Sequence, residues 1–147
     1  MTTATPQSAA LKGLTYAEEK LEVNSVYQNA IKHRDALDTV MTALAETRDQ
    51  KRIIERQTAD REMEILFEER SKHPEMSAAG MDKHLKLAHH ADELLRDLRN
   101  QHVKAVNDLD GLEIDKSMLE VDIKIATARM IELGGYLQYL AVLKQSV

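Results

Sequence analysis

Four of the chain's six histidines, His73, His84, His89 and His90, fall in one stretch near Glu64, Glu68 and Glu69. Imidazole and carboxylate groups ligate divalent transition metals. On one helix a chelating pair takes the form Glu-x-x-His or His-x-x-x-His, because spacings of three and four put both side chains on one face. Neither pattern occurs, and His84 and His89, five apart, diverge. A metal centre would need ligands from two helices meeting at a turn, so no metal ligand and no cofactor is expected. The same lack argues against a di-iron helical enzyme. Serine, histidine and acidic residues are present, but no Gly-rich phosphate cradle or strained nucleophile turn arranges them. No catalytic residue is assigned, and the chain is not expected to be an enzyme.

A second group of charges could contact phosphate. Arg48, Arg52 and Arg56 recur every four residues, with Lys51 and Arg61 nearby and Arg96, Arg99 and Lys104 on the stretch expected to face them. A guanidinium ladder can track a phosphate backbone. Here Asp49, Glu55, Asp60, Asp92, Glu93 and Asp97 are interleaved at intrahelical pairing distances, and no aromatic accompanies them for base stacking. A salt-bridged solvated face is the first expectation, and nucleic-acid association through Arg48, Arg52 and Arg56 the alternative.

Composition narrows the architecture that must carry these residues. Aromatics make up 3% of the 147 residues and charged residues 31%, with two prolines, five glycines and no tryptophan. Such a chain suits aliphatic helical seams better than an aromatic-anchored globular core. With no cysteine, thiol catalysis and disulfides are excluded, which fits a reducing, cytoplasmic setting. No secretory signal or membrane-spanning run is apparent. A net charge of −5 argues weakly against generic polyanion binding.

The dominant pattern is a heptad. Ala88, Ala91, Leu95, Leu98, His102, Ala105, Leu109 and Leu112 begin a series of alternating threes and fours. It continues through Lys116, Leu119, Ile123, Ala126, Met130, Leu133 and Leu137 to Leu140, with only His102 and Lys116 polar. A stripe of this period belongs to a long helix covered by another helix. The earlier half supplies one: Tyr16, Val23, Tyr27, Ala30, Leu37, Met41 and Leu44 follow the same spacing, with Lys20 and Arg34 interrupting. Beyond Leu44 that register reaches Arg48, Lys51, Glu55 and Thr58. A phase slip is therefore expected, to bring Ile54, Met63, Leu66 and Phe67 inward.

Boundaries follow from local signals. Residues 1–14 read as a flexible lead-in, Thr15 with Glu18 as a capping box, 15–72 as helix 1, 73–80 as the turn around Pro74, and 81–143 as helix 2 capped by Ser77 or Asp82. Gly134 and Gly135 are expected to weaken the helix without ending it. The stretches 15–72 and 81–138 are equal in length, predicting an all-α antiparallel coiled-coil hairpin roughly 85 Å long. Residues whose numbers add to about 153 should then face each other. The hairpin is expected to be well packed near the termini and thin in its middle, with a cluster of Met63, Leu66, Phe67, Met76, Met81 and Leu85 at the turn. All 147 residues form one helical unit.

The outer face of helix 2 changes character along its length. His90, Glu93, Asp97, Asn100, Lys104 and Asn107 give way at equivalent positions to Ile114, Met118, Val121 and Ile125, and further on to Tyr139 and Val142. One helix cannot bury opposite faces against a single partner, and each large aliphatic left in water forfeits roughly 1.5–3 kcal/mol. These six residues are expected to form an oligomer interface, closing a four-helix-bundle dimer or higher oligomer. The function implied is a scaffold, adaptor or inhibitor that binds itself and another protein. The apolar end, 136–143, is too short to span a bilayer, and no membrane partner is expected.

Overall fold

The computed structural model describes residues 23–145, with the side chains of Val23, Asn24 and Leu140 excepted. The lead-in, the Thr15 capping box, Tyr16 and Lys20 lie outside the described residues. Three helices account for the described chain: α1 (Val23–Lys72), α2 (Ala78–Ala91) and α3 (Glu93–Gln145). No strand occurs among the described residues, so the fold is all-α.

Each helix end has a local cause. From 14 to 73 the chain contains neither proline nor glycine, and α1 runs unbroken to Lys72, with Arg70 and Lys72 complementing the helix dipole in its last turn. The amide of His73 still donates to Glu69 O at 2.9 Å, after which Pro74 prevents continuation. Ser77, with extended backbone, restarts the helix: its Oγ accepts from the Gly80 amide at 3.2 Å. The expected cap is therefore Ser77, and α2 begins earlier than 81.

The long second helix expected from the heptad is two helices. Asp92 leaves helical geometry, with φ −73° and ψ 119°, and its Oδ1 accepts from the Leu95 amide at 2.9 Å. It closes α2 through its own amide, which donates to Ala88 O at 3.0 Å, and it caps α3. At this joint Ala91, expected in the stripe, is exposed, and Asp92 is the residue turned inward between Ala88 and Leu95. Gly111, Gly134 and Gly135 remain helical, as expected.

The described residues divide into two compact units, Met41–Ile114 and the segment ending at Val40 with the segment beginning at Asp115. In the first, the later part of α1, the turn, α2 and the start of α3 form a helical hairpin. Arg61 with Asp92 and Glu69 with His84 obey the expected pairing rule. Glu55 with His102 and Arg48 with Glu113 lie about one and two helical turns beyond it, as long side chains reaching along the axis permit. In the second unit, Val26, Asn29 and His33 share a shallow groove with Asp122, Ile125, Ala126 and Arg129, so the two helical segments lie side by side.

Along α3 the residues turned inward are the heptad residues, from Leu95 and Leu98 through Ala105 to Leu133 and Leu137. Along α1 the phase differs from expectation. Ala30, Leu37, Leu44, Lys51 and Thr58 are turned inward as expected, but Val26, His33, Val40, Thr47 and Ile54 alternate with them. Tyr27, Arg34, Met41, Arg48 and Glu55 are exposed. This series keeps threes and fours from Val26 to Ile65, so no phase slip occurs. Polar seam residues are accommodated individually: Thr47 and Thr58 donate their hydroxyls to Ala43 O and Ile54 O, both at 2.8 Å.

The best buried apolar residues among those described are concentrated in the hairpin unit, where Leu44 is 1% and Leu95 0% exposed, with Ile65, Met81, Leu98 and Ala105 close behind. Of the expected turn cluster, Met81 is buried and Leu66, Met76 and Leu85 half-buried, but Met63 and Phe67 face solvent and Ile65 takes the inner position. Leu95→Ala should therefore destabilise the protein by about 2–4 kcal/mol, whereas Leu87→Ala, at an exposed position of α2, should change stability by less than about 0.5 kcal/mol. Denaturant unfolding of the two variants checks this.

Candidate functional site

Two surfaces emerge, an apolar strip on α3 and a polar cluster at the turn. Met118, Val121, Ile125, Tyr139 and Val142 of the terminal unit are each between 54% and 62% exposed, as is Ile114, the last residue of the hairpin unit. All six expected interface residues thus lie on the outside of α3. The seam is occupied by Leu119, Ile123, Ala126 and Met130, so the strip lies off the seam, although Ile125 also borders the groove towards α1. An open groove beside it is lined by Ile125, Ala128, Arg129, Glu132, Leu133 and Tyr136.

The arginine ladder is exposed, and its charge is largely answered. Arg48 pairs across the hairpin with Glu113 at 2.5 Å, and Arg52 lies 3.6 Å from Asp49. Lys51 pairs with Glu55 at 3.6 Å. Arg56 has no ion pair among the described residues. One free guanidinium among paired ones gives little of the counterion release that drives phosphate binding.

Arg61, by contrast, is drawn inward. It occupies a seam position of α1, and its Nη2 donates to Asp92 Oδ2 at 2.7 Å while Nη1 donates to Glu64 at 2.9 Å. Only 22% of the Arg61 side chain and 15% of Asp92 are exposed. The Asp92 carboxyl is held below its ordinary range, first by the Arg61 guanidinium and then by the Leu95 amide; Arg61 is raised in turn, chiefly by Asp92. One carboxylate thus caps α3, interrupts the helix and neutralises a half-buried cation.

The interruptions of the α3 seam have ordinary partners. His102 Nε2 lies 3.2 Å from Glu55, whose carboxyl is lowered mainly by that hydrogen bond. Lys116 is half-buried with its amine 3.9 Å from Glu120. Both fit polar residues at the edge of a seam rather than ligand sites.

At the turn the structure assembles what sequence spacing did not disclose. Glu69, His73 and His84 bring one donor atom each within 4.8 Å of one another. The Glu69 carboxyl is lowered, mainly by its hydrogen bond to His84. Glu69 lies in the last turn of α1 and His73 just past its end, four residues on in a Glu-x-x-x-His spacing that is neither Glu-x-x-His nor His-x-x-x-His, while His84 arrives from α2. His89 and His90 are not part of the group.

Comparison with family models, curated proteins and solved structures found no match. No helix among the described residues is long and apolar enough to cross a membrane.

Because the Asp92 carboxyl is lowered in the folded chain, its contribution is complete above the unfolded value near 3.8 and is lost as pH falls toward the folded value. Asp92→Asn keeps a capping oxygen but removes this linkage. Thermal melts between about pH 6 and pH 3 should show the wild type losing stability more steeply at the acid end than Asp92→Asn. Above about pH 5 the variant should be less stable by a nearly constant offset.

Proposed function

We propose that the chain is a non-enzymatic coiled-coil interaction protein that self-associates through the outer face of α3 and serves in the cytoplasm as a scaffold, adaptor or inhibitor of another macromolecule. The observation that carries this reading is the exposure of Met118, Val121 and Ile125 in succession on a helix whose opposite face is already committed to its seam. Tyr139 and Val142 extend the apolar character toward the C-terminal end. Single exposed aliphatics are common on soluble proteins, but a contiguous strip usually marks an interface.

A second copy is the occupant that the strip suits best. Charges of both signs border it, with Asp115 and Asp122 around Val121 and Lys124 and Arg129 after it. Two-fold pairing of α3 about Val121 would bring Asp115 of each copy towards Lys124 and Arg129 of the other, with apolar side chains between. Four helices would then close a bundle over this region. Nucleic-acid association through Arg48, Arg52 and Arg56 ranks second, because Arg48 and Arg52 are already paired.

Val121→Glu together with Ile125→Glu places charges in the assembled interface while leaving the seam untouched. Light scattering should report a smaller species, with helicity by circular dichroism retained. A wild-type protein that is monomeric at tens of micromolar, with a mass and helicity that the double substitution does not change, would contradict self-association and assign the strip to the chain's own N-terminal residues or to a different protein.

A further inference from the structure

The turn between α1 and α2 gathers donors that sequence separates. Glu69 lies in the last turn of α1, and His73, whose amide still bonds to Glu69 O, follows one turn on, just past the helix end and before Pro74. Ser77 then starts α2, which carries His84 back to the same point. The two oxygens of Glu69 are divided between neighbours. Oε1 accepts from Lys72 at 3.5 Å, whereas Oε2 lies 2.5 Å from His84 Nε2 and 4.0 Å from His73 Nε2. The imidazole rings stand edge to face, with centroids 4.8 Å apart. Both Nε2 atoms therefore address one carboxylate oxygen.

We propose that Glu69, His73 and His84 form a binding site for one divalent transition-metal ion, with zinc the best-suited occupant. Tetrahedral zinc with bonds of about 2.0–2.1 Å needs ligand atoms about 3.3 Å apart. The two nitrogens now stand on either side of that spacing from Oε2, at 2.5 and 4.0 Å. The adjustment falls on side chains with room to move, since His73 is 43% and His84 34% exposed, while Glu69, at 14%, is the fixed member. Two imidazoles and one carboxylate favour zinc and its transition-metal neighbours over calcium or magnesium, which take mainly oxygen ligands. Three protein ligands leave a fourth position to solvent. The bound ion ties the last turn of α1 to α2 and so staples the hairpin at its turn. It binds the folded chain in preference to the unfolded one and raises stability.

The test uses the full chain, stripped with a chelator and titrated with zinc at neutral pH by calorimetry, with thermal melts in parallel. One ion should bind per chain, the melting temperature should rise, and chelator should reverse the rise. Glu69→Gln and His84→Ala should each weaken binding by more than about tenfold, whereas His90→Gln, at an exposed position outside the cluster, should leave it unchanged. His73→Ala provides the same loss at a more exposed position if His84→Ala does not fold. Cobalt in place of zinc should give the visible absorption of a four-coordinate ion, and that absorption should disappear when His73 and His84 are both replaced by alanine. Absence of saturable zinc binding, or binding that survives both Glu69→Gln and the double histidine replacement, would overturn the proposal.

Discussion

A helical stripe that must stay covered along its whole length is the constraint on which this structure depends. In α3 the threes and fours run from Leu95 through Leu98 and Ala105 to Leu133 and Leu137, and burial follows them. In α1 the matching stripe runs without interruption from Val26 to Ile65. Because each stripe occupies one face, whatever lies opposite is left to water or to another chain. The exposure of Met118, Val121 and Ile125 is thus a consequence of the seam, and so is the exposure of the arginine ladder.

Several polar residues within the seam are tolerated because they find partners without leaving their place. Thr47 and Thr58 return their hydroxyls to their own helix, and His102 meets Glu55. Arg61 is the most demanding, and Asp92 answers it from the one residue where the returning helix is broken. A half-buried ion pair contributes little net stability when its desolvation is counted, but a mispaired register would leave Arg61 or Asp92 without its counter-charge. The pair therefore bears on alignment more than on strength, much as polar residues do in other helical seams.

The stripe of α3 was legible in the sequence because leucine dominates it and the positions opposite it are polar as far as Asn107. The phase of α1 was not. Tyr27 and Met41 are larger apolar residues than their neighbours Val26 and Val40, and Thr47 and Arg61 look like outside residues until their hydrogen bonds are seen. Choosing by hydrophobicity placed every second residue of the stripe one position late, at Tyr27, Arg34 and Met41, while Ala30, Leu37 and Leu44 were placed correctly, and then required a phase slip that does not exist. The break at Asp92 was hidden for a different reason. Neither proline nor glycine marks it, and the spacing from Ala91 to Leu95 is the same on either side. The exposed strip on α3 was legible, since it is the complement of a correctly identified seam. The Glu69, His73 and His84 group was not, because His84 joins it only through the turn.

The phase of α1 is the central claim, since it decides which residues are available to a partner. The chain has no cysteine, so single cysteines can be introduced and their labelling by a thiol reagent timed in the folded protein. Val40 and Thr47 are half-buried, whereas Met41, at 45% exposed, and Arg48 face solvent. Cysteine should label slowly in Val40→Cys and Thr47→Cys and rapidly in Met41→Cys and Arg48→Cys. The reverse order, with Met41→Cys and Arg48→Cys protected and their neighbours reactive, would contradict the continuous seam.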